Sequence, residues 1–390
     1  MQFLILSPAN GNPAKLILGF AVPMLMGLLF QQFYSMVDTI IVGKFLGVDA
    51  LASVGSTSAI NFMINGFVIG VCTGFSIPVA QRFGAQDYKD MRRFVANAGW
   101  VASCFAVIMT VIVCLMTRQI LVWMQTPDNI IDGAYSYIFF VFAGIPATYL
   151  YNTLAGIIRA LGDSKTPVYF LILSSLLNIA LDLLFIVQIG TGTAGAAYAT
   201  VISQGISALW TLQFLTGKQT ILKLRKKYFK LNFYYVKRIF SLGTAGFMMG
   251  ITNSIVTIVC NSTLQAYGGD LYIAIMTIIN SIREIAQLPG QGMANACQPV
   301  LGYNYGAKEY KRVLSGIKFV TIVSFIMMFV IWLAITLFPE FFIQIFTHNQ
   351  KIITHGITSL HLYFFGFFMM TFQMVGQSTA VGLGKSKQAI

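Results

Sequence analysis

Charge is what this chain has least of. Only 9% of its 390 residues are Asp, Glu, Lys or Arg, against about 25% in an average soluble chain. With 57% hydrophobic residues and a mean hydropathy of +0.75, the chain reads as a polytopic membrane protein and not as a soluble domain on one anchor. Cysteine is sparse and unpatterned. Cys72, Cys104, Cys114, Cys260 and Cys297 all fall in apolar runs without a CxxC pair, which argues against a disulfide frame or a cysteine metal site and for small core residues. No GxxxxGK[ST] phosphate loop occurs, so ATP drive by this chain is not expected. Residues 1–12 lack a basic n-region and a small-residue cleavage site, so no signal peptide is expected.

What remains is long apolar runs, each near the roughly 20 residues a helix needs to cross a bilayer. Ten can be placed, at 14–43, 50–78, 94–117, 130–156, 167–189, 194–216, 237–267, 271–297, 314–338 and 352–380. The net charge of +13 would suit nucleic acid, but its distribution gives another reason. Of the 25 basic residues, 20 lie in alternate connections, among them Arg82, Lys89, Arg92 and Arg93, the Lys218–Arg238 cluster, and Lys308, Lys311 and Arg312. The positive-inside rule then puts the N-terminus and these connections in the cytoplasm.

The chain also repeats. Gly84-Ala85-Gln86-Asp87-Tyr88-Lys89 matches Gly306-Ala307-Lys308-Glu309-Tyr310-Lys311, and Leu161-Gly162-Asp163-Ser164-Lys165 matches Leu383-Gly384-Lys385-Ser386-Lys387, both at an offset of 222. The unit holds six spans. An even number returns the chain to the same side, so the two halves are parallel repeats about an axis along the membrane normal. The expected layout is a first lobe at 1–216, a basic cytoplasmic linker at 217–236 and a second lobe at 237–390. About 51 residues and two spans follow Lys165, but three residues follow Lys387. The expectation is a chain truncated after helix 10, lacking helices 11 and 12.

Two acids sit inside apolar runs of the first half, Asp38 in Pro13–Gly43 and Asp182 in Thr166–Ile189. An acid within a span costs about 2.5–3.5 kcal/mol on insertion scales, which makes it a functional candidate. At 1.5 Å per residue, Asp38 lies roughly 9 Å and Asp182 roughly 12 Å from the outer ends of their spans. Tyr34 precedes Asp38 by four residues and Asn178 precedes Asp182 by four, so each acid has a polar neighbour on its own helix face. Two carboxyls held at one depth in a dry lobe make a site able to take up and release a proton. Pro23 interrupts the hydrogen bonding of the first span and favours a kink, a candidate hinge. Gly66, Gly70 and Gly74 form a close-packing face. Arg283 and Glu284 in span 8 are adjacent and so do not share a helix face. They either line a cavity of the second lobe or pair with other helices. His361 reads as a hydrogen-bonded core residue.

Pro23, the run Val37-Asp38-Thr39-Ile40-Ile41-Val42-Gly43, the loop Gln81-Arg82-Phe83-Gly84-Ala85, Arg159-Ala160-Leu161-Gly162-Asp163 and Gln298-Pro299-Val300-Leu301-Gly302-Tyr303-Asn304-Tyr305-Gly306-Ala307 together resemble the multidrug and toxic compound extrusion (MATE) family. The resemblance covers the whole chain. It implies an all-α fold of two six-helix lobes that exports organic cations in exchange for Na+ or H+. In the DinF-like branch a proton site is built from helices 1, 5 and 6, and the resemblance assigns Tyr34, Asp38, Asn178, Asp182 and Thr200 to it, with Pro23 as the bending proline. The NorM-like branch has acids on helices 7 and 10, and this chain has none there. The same oxygen cluster suits H+ or Na+, and no other metal or cofactor is expected.

The functional expectation is a secondary antiporter in the cell membrane, not an enzyme. Its partners would be small amphipathic or cationic organic molecules and membrane lipids; no nucleic acid is expected, and the chain would act as a monomer. Two rivals stand beside it. A lipid-linked oligosaccharide flippase of the same superfamily should show more cationic residues in its cavity than Arg283. A membrane enzyme using the two acids as acid and base has nothing else in its favour.

Overall fold

The computed structural model describes residues 12–217, 220, 222 and 228–389. Residues 1–11 and the linker cations Lys218, Lys223, Arg225, Lys226 and Lys227 lie outside the described residues, and with them much of the expected linker. Every regular element described is helical: α1 (Pro13–Leu46), α2 (Val48–Ser56), α3 (Ser58–Gly84), α4 (Tyr88–Trp123), α5 (Asp128–Ala143), α6 (Ile145–Ala160), α7 (Lys165–Asp182), α8 (Thr193–Thr216), α9 (Phe233–Gly306), α10 (Tyr310–Leu337), α11 (Pro339–Gln344), α12 (Gln350–Phe364) and α13 (Met370–Gly382). A bilayer leaves no water for unpaired backbone groups, and a helix satisfies them internally.

Seven of the described helices are long and apolar enough to cross a membrane, eight when α5 and α6 count as one span bent by 43°. The helix α8 and the first arm of α9 lie where the sequence places spans 6 and 7, but they are not among these seven or eight. The apolarity of α8 is diluted by Thr200, Ser203, Gln204, Ser207 and Thr211, and three of these, Ser203, Ser207 and Thr211, are buried inside the lobe. Four spans depart from straight rods. Span 2 breaks at Thr57 into α2 and α3. Span 4 bends at Gly144 between α5 and α6. Span 5 leaves α geometry after Asp182 for a π-helical segment, Leu183–Ile189. Span 10 is interrupted between α12 and α13. By contrast α1 runs through Pro23 as one element of 34 residues.

Helix starts follow local chemistry. The side chains of Asn12, Asp87, Asn232 and Asn349 each accept a hydrogen bond from the first-turn backbone of the helix they open, satisfying amides that have no partner within the helix. The repeat is written into the backbone as well. Gly47 (φ 87) and Gly269 (φ 62) break the chain between spans 1 and 2 and between spans 7 and 8. Gln86 (φ 56) is matched by Lys308 (φ 61), and Gly162 (φ 99) by Gly384 (φ 75). Each pair is separated by the same 222 residues as the sequence matches.

The first lobe has one continuous apolar core, including Val68, Phe75, Phe94, Ile138, Tyr149 and Ile157. The second lobe has its own, around Ile275, Ile279, Met328, Ile335, Leu360 and Phe364. A third cluster joins them: Ile17, Phe20 and Ala21 of α1 pack against Met293, Ala296 and Val300 of α9. The joint lies on the side that carries the basic connections. There the Phe83 and Tyr303 rings meet edge to face at 5.4 Å, and the Gln81 amide donates to the Gly382 carbonyl at 3.1 Å. A Cβ on Gly84 would collide with the Tyr303 carbonyl, and a Cβ on Gly306 with the Gln81 carbonyl. These contacts are images of each other, since 81 and 84 become 303 and 306 under the repeat. Two helix ends cross there close to the local two-fold axis, and only glycine lets the backbones touch. Of the expected glycine face, Gly74 is used, against the Gly243 backbone, whereas Gly66 has nothing within 4 Å.

The start of the second lobe is tied to the base of the first. Asn97, fully buried, accepts from the Asn232 amide at 2.9 Å and donates to the Lys230 carbonyl at 3.4 Å. Trp100 donates to the Phe229 carbonyl at 3.0 Å. The Tyr235 hydroxyl donates to Asp90 at 2.5 Å, and Asp90 also pairs with Arg82 at 3.0 Å. Two smaller expectations need correction. His361 is bonded to the Thr336 carbonyl at 3.0 Å but is exposed on the helix surface. Among the cysteines, Cys72 and Cys297 are core residues, but Cys104 is exposed. An apolar environment outside the protein suits either side chain, so membrane spans do not reveal their inward faces by apolarity alone.

Candidate functional site

The helices of the first lobe converge on a set of polar side chains that apolar sequence would not otherwise tolerate. The helix α1 supplies Tyr34 and Asp38, α7 supplies Asn178 and Asp182, and α8 supplies Thr200. Asp182 is fully buried and Asn178 nearly so, at 0% and 2% exposure. Asp38 is half-buried. Tyr34, Asp38 and Thr200 line one cavity, and α7, which carries Asn178 and Asp182, packs against both α1 and α8. The Asn178 amide donates to the Thr200 hydroxyl at 3.3 Å. All five residues expected from sequence are therefore brought to one place. The i, i+4 spacing puts Asn178 one turn before Asp182, and Tyr34 one turn before Asp38, so the helix geometry alone aims each pair at the same point.

The cluster is short of protons. Asp38 Oδ1, both oxygens of Asp182 and Asn178 Oδ1 are buried and receive no hydrogen bond from a donor group. Each buried acceptor left unpaired costs about 1–3 kcal/mol, more when charged. Four such acceptors together call for donors or positive charge, from water in an adjoining cavity or from a bound cation. A proton shared by the two carboxyls satisfies part of the set. A Na+ ion, with carboxylate, amide and hydroxyl oxygens around it, satisfies more. Among the described residues no group of three or more His, Cys, Asp or Glu stands together. The donors present are carboxylate, amide and hydroxyl oxygens, which a proton or a monovalent cation can use.

Asp38 also faces a cavity of about 100 Å³, lined by Tyr34, Asn61, Asn65, Tyr137, Thr148, Thr200 and Gln204 among others. Its size decides its use. Liquid water occupies about 30 Å³ per molecule, so about three waters fit. Drug-sized ligands sit in pockets of about 300–1,000 Å³. The cavity can hydrate and admit an ion. Inside it the Thr148 hydroxyl donates to Gln204, and Asn65 donates to Asn61 at 2.7 Å.

Tyr137, Asn61, Asn65, Thr148 and Gln204 are lining residues that the sequence reading passed over. A signal was available in two of the spans. Asn61 and Asn65 are four apart on span 2, and Thr200 and Gln204 four apart on span 6. Each pair marks one polar face on an apolar helix.

The backbone changes at the same point. The α geometry of span 5 ends at Asp182 and the π-helical segment Leu183–Ile189 follows at once. It closes on Gly190 in the left-handed region, with the Thr191 hydroxyl donating to the Phe185 carbonyl at 2.8 Å. Such wide turns cluster at functional sites because they re-aim the side chains around them.

The candidate hinge Pro23 lies on the basic side of this cluster, and α1 is continuous through it. In the second lobe, Arg283 and Glu284 do not pair. Arg283 Nε is buried without a partner, while Glu284 is exposed. Neither contributes to the first-lobe cluster.

Three comparisons bear on the whole chain. The MatE family model matches residues 23–184 and 245–390, and the two segments begin 222 residues apart, as the repeat requires. The chain is 29% identical to the probable multidrug resistance protein YoeA of Bacillus subtilis (strain 168) over 339 residues, covering 85% of this chain and 73% of that protein. It is 24% identical to the multidrug export protein MepA of Staphylococcus haemolyticus (strain JCSC1435) over 384 residues, covering 96% of this chain and 84% of that one. Among solved structures, one described as the outward-facing conformation of a multidrug resistance MATE family transporter of the MOP superfamily superposes with a TM-score of 0.91 at 25% identity, over 97% of this chain and 84% of that chain.

Proposed function

The chain belongs to the MatE family of multidrug and toxic compound extrusion transporters, and from that premise we propose that it is a secondary antiporter exporting amphipathic and cationic organic compounds in exchange for a monovalent cation, H+ or Na+. The observation that carries the coupling is the cluster of four unpaired buried oxygens on Asp38, Asp182 and Asn178 beside a cavity of ion size. The names of the relatives, a multidrug resistance protein and a multidrug export protein, support the cargo class.

The geometry supports one cycle. The basic side is cytoplasmic, and the lobes meet there through Ile17, Phe20, Met293 and Val300 and through the Gly84 and Gly306 crossings. This is the state that releases cargo outside, in keeping with the outward-facing relative. Ion entry at Asp38 and Asp182 neutralises the cluster and favours release of the cargo. The lobes then separate on the basic side, the ion leaves, and new cargo binds. Ion and cargo must prefer opposite states, since a ligand indifferent to the two shifts nothing.

The test is efflux of a fluorescent organic cation from cells expressing the protein, with pH and Na+ gradients imposed separately. Gradient-driven efflux in the wild type and its loss in Asp182→Asn at equal expression support the reading, and the effective gradient names the ion. Equal efflux in wild type and variant contradicts it.

A further inference from the structure

The repeat allows the first-lobe cavity to be carried onto the second lobe residue by residue. Its lining residues Asp38, Asn61 and Val141 become Cys260, Arg283 and Tyr363 under the 222-residue offset. The backbone pairs Gly47 with Gly269 and Gln86 with Lys308 hold that register on both sides of Asn61 and Arg283. Tyr363 is tied to the Arg283 face of α9: its hydroxyl donates to the Asn280 side chain at 3.3 Å, and Asn280 stands three residues before Arg283, on the same helix face.

The polarity of the two places is opposite. In the first lobe an Asp stands where the second has Cys260, and an uncharged Asn stands where the second has Arg283. None of the ion pairs among the described residues includes Arg283, and its Nε is buried without a hydrogen-bond partner. The neighbouring Glu284 is exposed and, as an adjacent residue, projects about 100° away around the helix. A charged side chain within a span costs about 2.5–3.5 kcal/mol even on lenient scales. A guanidinium is charged at every working pH and offers a planar fork of donors that matches carboxylate and phosphate. A cation held in a span with a donor left over and no acid beside it is a half-built anion site.

We infer that Arg283, with Tyr363 and Asn280, binds the carboxylate or phosphate of an amphiphile in the second lobe, so that the cargo of this transporter includes anionic and zwitterionic amphiphiles. The inference deepens the proposed export function and rests on it for the word cargo. Binding itself needs no gradient, so the two readings fail separately.

The experiment measures equilibrium binding of dansylglycine and of dansylglycinamide, which differ in the carboxylate alone, to the full chain in phosphatidylcholine nanodiscs. Energy transfer from tryptophan to dansyl is the readout. The wild type is expected to bind dansylglycine about tenfold more tightly than the amide, the effect of one charge-assisted pair worth about 1.4 kcal/mol. Arg283→Gln brings the two within about twofold, and Arg283→Lys keeps an intermediate preference, since it retains the charge and loses the fork. Addition of phosphatidylglycerol separates the sources of the anion. Competition in the wild type that disappears in Arg283→Gln assigns the site to a lipid headgroup, and absence of competition assigns it to soluble carboxylates. Equal affinity of the wild type for both probes overturns the inference, as does an unchanged preference in Arg283→Gln. If Arg283→Gln does not fold, the wild-type comparison decides alone.

Discussion

Replacing Gly84 with Ala should shift the protein between its two conformations and not simply weaken it. Gly84 has an ordinary negative φ, so Ala suits its backbone and, by helix propensity, favours the helix by up to about 1 kcal/mol. The obstacle is across the lobe interface, where the new methyl meets the Tyr303 carbonyl, a backbone atom that cannot rotate away. Overpacking of this kind costs about 1–3 kcal/mol. That cost falls only on the state in which the lobes touch on the basic side. At 1.4 kcal/mol per tenfold, the ratio of the two states should move about 5- to 150-fold towards opening on that side. Gly306→Ala, which meets the Gln81 carbonyl, should do the same, because it is the image of the first change. Spin labels at Lys89 and Lys311, both exposed on the basic connections, read the separation by double electron–electron resonance. The expected result is a longer distance in both variants and none in Gly66→Ala, where nothing lies within 4 Å. Unchanged distances in a folded Gly84→Ala protein, with only a lower Tm, would refute the idea that this crossing belongs to one state alone.

Three further outcomes follow from other parts of the structure. Gly47 (φ 87, ψ −174) and Gly269 (φ 62, ψ −163) occupy a backbone region that is essentially open to glycine alone, so Ala at either should cost about 1–3 kcal/mol, read as a lower Tm in detergent, with similar losses at the two sites. Asn97→Ala removes the acceptor of the Asn232 amide and should destabilise the junction by about 1–3 kcal/mol, seen as faster tryptic cleavage between residues 217 and 236. Thr200→Val takes away the acceptor of the Asn178 amide and should weaken the dependence of transport on the driving ion about tenfold at unchanged expression, measured from the ion concentration giving half-maximal efflux.

The parts of this protein that were legible in its sequence are those governed by large transfer energies. Ten spans could be placed because apolar length is what a bilayer selects. Asp38 and Asp182 stood out because a carboxyl in such a span is costly enough to need a reason. The repeat was visible in two short matches, and the paired turns at Gln86 and Lys308 give it a backbone cause. Asn178 was linked to its acid by spacing, whereas Thr200 came only through the family resemblance, because a hydroxyl in a span is cheap and common. Tyr137 and Thr148 were missed for that reason, and Gln204 was missed although its spacing of four from Thr200 was visible. The break at Thr57, the 43° bend at Gly144 and the π-helical turn after Asp182 depend on packing between helices, and no single residue type announces them. The glycine crossing at Gly84 and Gly306 is the same kind of fact. The glycines were seen as part of a matching motif, but the partner carbonyls lie in the other lobe.

The claim most in need of a direct measurement is that cargo binding and the Asp38–Asp182 cluster exchange a cation. Purified protein should be titrated with tetraphenylphosphonium in weakly buffered solution, while a pH indicator and displacement of radioactive Na+ report on both ions. The account predicts release of about one cation, H+ or Na+, per bound tetraphenylphosphonium in the wild type, and none in Asp182→Asn. Saturable binding of tetraphenylphosphonium to the wild type with no release of either ion would contradict it.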